Sequence, residues 1–322
     1  MTPLLDVRQL TVNFFGDAGT ATPVDGVSFQ LAKGETLALV GESGCGKSLT
    51  ALSILQLLPR AATLDPGSAI ELDGEDLVAL EEPALRAVRG ARIAMIFQDP
   101  MTSLNPVYTA GSQITEAVRA HCAVSKRQAR ERALHLLEEV GIPDPQFRFG
   151  QYPHELSGGM RQRVMIAMAL SCEPQVLIAD EPTTALDVTV QAQILEILDR
   201  LRQSHDMAVL MITHDLGIVA GRADRVAVMY AGQIVETAPT DRLFEHPTHP
   251  YTRALLASVP RLTGPLQRLS PIQGTVPTPD AWPTGCRFHP RCPYAFDKCQ
   301  QQPPVKIVAD GHQTACWLES TQ

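Results

Sequence analysis

No stretch of this 322-residue chain reaches the roughly 18 consecutive apolar residues of a membrane span. Nor does the opening Met1-Thr2-Pro3-Leu4-Leu5-Asp6 carry the basic region and apolar core of a secretory leader. These absences predict a soluble or peripheral protein that is not secreted. Positive charge is also in short supply: 27 Lys and Arg against 35 Asp and Glu give a formal net charge of -8, which argues against a general electrostatic footprint for nucleic acid. The basic cluster Lys126, Arg127, Arg130 and Arg132 reads as a solvated helix face. There is no internal repeat, and no paired C-x2-C spacing of the kind found in common zinc ribbons. In the cytosolic chain that the absence of a leader predicts, seven cysteines point to metal binding, reactivity or simple burial rather than to disulfides.

What is present begins with Gly41-Glu42-Ser43-Gly44-Cys45-Gly46-Lys47-Ser48, which matches the phosphate-loop pattern G-x-x-x-x-G-K-[ST] at every fixed position. Glycines at 41, 44 and 46 open backbone conformations denied to other residues, so successive N–H groups can turn toward anionic oxygens. Thr36-Leu37-Ala38-Leu39-Val40 reads as a buried strand, and Leu49, Leu52, Leu55 and Leu58 recur at helical spacing before Pro59. A helix starting near Lys47 would add its positive N-terminal dipole. Lys47 is expected to reach the β- and γ-phosphates, and the Ser48 hydroxyl to ligate Mg2+. Cys45 sits where the pattern is open and takes no catalytic role; Cys122 and Cys172 read as ordinary buried or partly buried thiols.

Upstream, Leu10 to Phe15 and Val24 to Leu31 suggest antiparallel strands. Phe14 is a candidate to stack on a nucleobase, or equally a core phenylalanine. Downstream, strands alternate with helices. Arg92 to Phe97 is a strand ending at Gln98, and Asp99 to Pro106 is a proline-bracketed loop. Ser125 caps a helix that Gly141 and Pro143 end, and Ser157 with Gly158 and Gly159 opens another. Val176 to Ala179 is an apolar strand running into Asp180 and Glu181; Ala208 to Thr213 is a second, ending at His214. Arg225 to Glu236 reads as a hairpin turning at Ala231-Gly232, and from about residue 240 a proline-rich, turn-rich extension begins. Such alternation predicts an α/β fold with a mostly parallel sheet, functional groups collecting at the strands' carboxyl ends. Adjacent acids at a strand end can hold a metal and activate a water, and a histidine one strand later can contact a γ-phosphate.

Gly41 to Ser48, Gln98, Leu156-Ser157-Gly158-Gly159-Met160-Arg161-Gln162, Val176 to Glu181, Thr184-Ala185-Leu186-Asp187 and His214 resemble the Walker A, Q-loop, signature, Walker B, D-loop and H-loop of an ABC-type ATPase. The resemblance covers about residues 4 to 250. It implies a P-loop NTPase fold with a RecA-like core, an N-terminal antiparallel β-subdomain and an inserted α-helical subdomain at about 100–165. Residues 1–250 would then form the ATPase domain and 251–322 a small Cys-rich C-terminal extension. Phe97 to Pro106, Tyr152-Pro153-His154-Glu155, His249-Pro250-Tyr251-Thr252 and Gly285 to Pro293 are similar to the ATPase subunits of dipeptide and oligopeptide importers, a subgroup that includes nickel and glutathione importers. The alternative classes are a soluble ABC ATPase acting on DNA or ribosomes and a nucleotide-binding regulator or scaffold without turnover, the latter disfavoured by the presence of both Glu181 and His214.

The resemblance also implies site roles. Phe14, Gly41, Ser43, Gly44, Cys45, Gly46, Lys47, Ser48 and Leu49 would bind ATP, with Ser157, Gly158, Gly159 and Gln162 completing the site from a neighbouring subunit. Ser48, Gln98 and Asp180 would hold Mg2+, Glu181 would activate water, His214 would sense the γ-phosphate and Asp187 would couple the two sites of the dimer. Partners would be a second ATPase subunit, identical or related, two transmembrane permease subunits and, indirectly, an external solute-binding protein. No nucleic acid is expected. The location would be peripheral, on the cytoplasmic face of the inner membrane, with the Pro100 to Pro106 loop as hinge.

Cys286, Cys292, Cys299 and Cys316 follow C-x5-C-x6-C-x16-C on a segment too short to bury much core. Thiolate ligation alone fits zinc or iron-sulfur. The subgroup resemblance favours a [4Fe-4S] cluster, with Zn2+ as the alternative.

Overall fold

The computed structural model describes residues 3–16, 19–99, 103–184, 186–258 and 272–318. Pro100, Met101 and Thr102 of the expected hinge, Ala185 of the D-loop and the prolines at 260, 265 and 271 lie outside the described residues. The chain forms two compact units: Met1–Leu31 with Thr36–Val78 and Met211–Gln322, and Ala32–Glu35 with Ala79–Leu210.

In the first unit, strand Leu5–Gly16 pairs antiparallel with Gly19–Leu31 and, on its other side, with Ala69–Leu72 and Ala62–Leu64. Its buried residues step from Leu5 and Val7 to Leu10 and Val12, a change of phase that a regular strand would expose. A register shift absorbs it: Gln9 takes φ 48°, and the partner strand answers at Gly26, φ 66°, so that Leu10 still faces Val27 and Val12 faces Val24. Strand Thr36–Val40 is buried throughout and runs parallel to Arg225–Tyr230. Ala231 and Gly232, both at positive φ, then turn the chain back into the antiparallel strand Gln233–Pro239, as a two-residue hairpin requires. The helix after the phosphate loop, Lys47–Ile54, is shorter than the leucine spacing predicts. Gln56 adopts φ 50°, and the N–H groups of Gln56 and Leu57 bond back to Ser53 and Leu52, a left-handed close that leaves Leu58 outside.

The proline-rich tail is not only turns. His312–Ala315 adds to the edge of Gln233–Pro239, and Val305–Ala309 pairs with it in turn. Beneath this join lies a buried polar cluster. Glu236 accepts from His312 Nε2 at 2.8 Å, from Thr248 N at 2.7 Å and Oγ1 at 2.6 Å, and from His249 N at 2.9 Å. Burial alone would raise the Glu236 pKa, but the donors from Thr248 and His312 win and hold it below the ordinary carboxylate value. A depressed folded-state pKa stabilises above the unfolded value of 4.5 and loses that contribution as pH falls through the folded value. Glu236→Gln is therefore expected to cost about 1–3 kcal/mol near neutral pH, read as a lower thermal midpoint, with a smaller difference from wild type in acid.

The second unit sets strand Ile93–Ile96 parallel to Val176–Asp180, with Ile93 beside Val176 and Ile96 beside Ala179, all buried. Its main helices begin at polar caps. The Ser125 hydroxyl accepts from Gln128 N at 3.3 Å in a capping box, Ser157 accepts from Met160 N at 3.3 Å, and Asp187 accepts from Val190 N at 3.0 Å. Gly141, at φ 76°, follows the helix Lys126–Glu139 as expected. Among the described residues no helix is long and apolar enough to cross a membrane.

Candidate nucleotide site

Strand Thr36–Val40 delivers Gly41 into a crowded turn. A Cβ on Gly41 would lie 2.1 Å from the Met229 carbonyl oxygen, and one on Gly46, at φ 107°, would lie 2.7 Å from the Pro23 carbonyl oxygen. The glycines are thus demanded by backbone approach as well as by conformation. Gly46 caps the helix Lys47–Ile54 without any side-chain hydrogen bond. The loop tip, Ser43 and Gly44, is exposed, and Ser48 and Leu49 are half-buried. Lys47 is buried and folds its ammonium back over the loop, donating to Gly41 O at 2.8 Å and Glu42 O at 3.0 Å. Cys45 is fully buried beneath it, and burial pushes its thiol pKa up, as suits a residue without catalytic work. Its carbonyl accepts from Gly232 N at 2.9 Å, tying the loop to the hairpin turn.

In the same unit, Phe14 is half-buried on its strand, opposite Ala21 and Ala62, while the neighbouring Phe15 is 60% exposed. His214 is exposed just past the end of strand Ala208–Thr213.

The second unit brings Gln98 and Glu181 together beyond the ends of its two parallel strands. Asp180 is buried as the last strand residue. Glu181 then takes φ 45°, a left-handed backbone that costs a non-glycine residue roughly 1–2 kcal/mol. Its carboxylate oxygen Oε2 accepts from Gln98 Nε2 at 3.0 Å and Thr184 Oγ1 at 2.9 Å. Within this unit the Gln98 amide and the Asp180 carboxylate are oxygen donors of the chemistry that suits Mg2+. Ser157 and Gly158 are exposed at the start of helix Gly158–Ala169, and Gln162 is buried within it. A Cβ on Gly159 would lie 2.7 Å from Val190, so the signature helix packs closely on the helix that Asp187 caps.

Three contacts were not anticipated from the sequence. Thr184 orients Glu181; Tyr251 and Arg291 both reach Glu42 inside the phosphate loop. The Thr184 hydroxyl, three residues after a strand-end acid, is a local signal that could have been found. The other two span 209 and 249 residues and leave no such trace. Thr184→Val is expected to lower kcat about tenfold through loss of a charge-assisted hydrogen bond, with Thr184→Ser restoring most of it in a steady-state phosphate-release assay.

Cys286, Cys292, Cys299 and Cys316 line one pocket with His249, Phe288 and His289. The expectation that they hold an iron-sulfur [4Fe-4S] cluster, or zinc in its place, is corrected. Among the described residues no group of three or more His, Cys, Asp or Glu side chains could hold a metal ion. The space between them is small. The pocket has a free volume of about 10 Å³, at most that of one water. Burial pushes the Cys286 thiol up to about 11 and raises Cys292 and Cys316 as well. The segment is held instead by packing: Phe288 meets Tyr230 and Tyr251 at ring-centre distances of 5.2 and 5.3 Å.

Comparison with known proteins agrees with this architecture. The family described as ABC transporter matches residues 24–184, and the family described as oligopeptide/dipeptide transporter, C-terminal region, matches residues 235–299. The chain is 54% identical to the probable peptide ABC transporter ATP-binding protein y4tR of Sinorhizobium fredii, over 98% of this chain and 94% of that protein. It is 52% identical to the oligopeptide transport ATP-binding protein AppD of Bacillus subtilis, over 99% and 97%. Among solved structures, the dimeric post-hydrolysis ATP-binding cassette MJ0796, bound to ADP and Pi, is similar with a TM-score of 0.65 and 25% identity, over 73% of this chain and 98% of that one.

A phosphate loop set in this α/β cassette defines an ABC-type ATPase. More narrowly, the chain belongs to the family of ABC transporter ATP-binding subunits that carry the oligopeptide/dipeptide transporter C-terminal region, and it couples ATP hydrolysis to transport as their motor subunit.

Proposed function

We propose that this chain powers the import of dipeptides or oligopeptides. The observation that carries the substrate class is the full-length similarity to peptide transport subunits, joined to the C-terminal match over residues 235–299. No comparable observation favours nickel, glutathione, DNA or ribosomes.

In this reading residues 1–250 are the ATPase and 251–322 an appendage to it. Phe14, Gly41, Ser43, Gly44, Cys45, Gly46, Lys47, Ser48 and Leu49 take the nucleotide, with Lys47 balancing phosphate charge. Ser48, Gln98 and Asp180 hold Mg2+, which supplies charge neutralisation at the phosphates when bound. Glu181, oriented by Gln98 and Thr184, draws a proton from water, and His214 senses the γ-phosphate. The exposed start of helix Gly158–Ala169 offers N–H groups to the nucleotide of a second ATPase subunit, with Asp187 linking the two sites. The pair would work at the cytoplasmic face of the inner membrane on two permease subunits, fed by an external binding protein. Uptake of a labelled dipeptide by a strain lacking this gene tests the substrate: we expect uptake to fall to background and to return with the wild-type gene. Normal dipeptide uptake beside lost nickel uptake would reject the peptide reading and keep the motor.

A further inference from the structure

The phosphate loop carries an anion of its own. Glu42 is its second residue, in a loop whose ligand is a polyphosphate, and an unbalanced carboxylate there would oppose binding. The C-terminal segment meets it directly. Arg291 donates from both terminal nitrogens to the Glu42 carboxylate, at 2.8 and 3.1 Å. Its Nε is fixed on the Gln273 carbonyl at 2.8 Å, and its side chain is only 6% exposed. On the other side of the same residue, the Glu42 N–H donates to the Tyr251 hydroxyl at 2.9 Å. Tyr251 is placed by its neighbours. The buried imidazole of His249 accepts from Tyr251 N at 3.1 Å, and Pro250 opens the helix Pro250–Ala257. Glu42 O in turn accepts from Lys47. A continuous line of contacts therefore runs from the C-terminal segment through Glu42 to the phosphate-binding lysine, all within one compact unit.

We propose that Arg291 is a positioning residue for ATP: it neutralises Glu42 and, with Tyr251, fixes the first turn of the phosphate loop, so that nucleotide affinity depends on the C-terminal segment. The planar guanidinium matters, because a bidentate pair fixes direction as well as charge. Substrate chemistry stays with Lys47 and Glu181. Arg291 acts only through Glu42.

This rests on the reading of Gly41 to Ser48 as the ATP site, and the test keeps the two apart. ATP binding and steady-state hydrolysis are measured on the full-length chain as wild type, Arg291→Gln, Arg291→Lys and the double variant Glu42→Gln/Arg291→Gln. Arg291→Gln is expected to weaken ATP binding and raise KM about tenfold with kcat changed less than twofold. Arg291→Lys should restore part of the affinity. The double variant should recover to within about threefold of wild type, since removing the carboxylate removes what Arg291 balances; loss of packing alone would not be rescued in this way. Should Arg291→Gln not fold, the Lys and double variants still decide: wild-type affinity in Arg291→Lys together with tenfold weaker binding in the double variant would overturn the proposal. So would unchanged affinity in Arg291→Gln. A wild-type chain that binds no ATP would overturn the site reading itself, and the proposal with it.

Discussion

Replacing Glu181 by Gln is expected to end steady-state ATP hydrolysis while leaving ATP binding intact. The substitution keeps the shape of a side chain that the fold has positioned at some cost. Glu181 stands at φ 45° beyond a fully buried strand, with Gln98 and Thr184 both donating to one carboxylate oxygen. An amide can still accept from Thr184, but it cannot take a proton, so the loss should be that of a general base, about 100-fold to 10,000-fold in kcat. Binding at the phosphate loop does not use this group. A radiolabelled phosphate-release assay paired with equilibrium ATP binding separates the two effects, and retained turnover would remove Glu181 from the role.

Lys47→Ala is expected to fail one step earlier. Its ammonium is buried and satisfied by the carbonyls of Gly41 and Glu42, the loop's own backbone, so the lysine both supplies positive charge and braces the turn. Removing it takes away a charge-assisted donor worth about 1.5–3 kcal/mol, or roughly a 10- to 100-fold loss of ATP affinity by that conversion. The result is opposite in kind to Glu181→Gln: binding is lost first and hydrolysis only in consequence. Isothermal titration with Mg-ATP shows the difference, and an unchanged affinity would contradict the assignment.

The parts of the site that could be read from the sequence are those made by local backbone geometry. Gly41 and Gly46 announce themselves because carbonyls of Met229 and Pro23 leave no room for a Cβ. Ser125, Ser157 and Gly141 mark helix ends because capping is chemistry within four residues. The twin strand ends carrying Gln98 and Glu181 follow from apolar runs that stop at polar residues. What escaped notice was either long-range or steric. The bulge at Gln9 was hidden by a leucine and valine pattern that changes phase. The helix after the loop closed early because of one left-handed residue, Gln56, which no leucine spacing reveals. The clasp of Tyr251 and Arg291 on Glu42 depends on a tail folding back across the molecule's chain length. The cysteines mislead for a related reason. Their spacing records four thiols, but not that Phe288, Tyr294 and Trp317 beside them leave about 10 Å³ of space.

The central claim is that ATP hydrolysis by this chain moves peptides through a membrane. The direct measurement is uptake of a labelled dipeptide into vesicles that contain the permease subunits, the paired ATPase and this chain, with ATP on the side where the chain is bound and the solute-binding protein on the other. Accumulation that requires ATP and disappears with Glu181→Gln is the predicted result. Accumulation that proceeds equally without ATP, or equally with Glu181→Gln, would contradict the account.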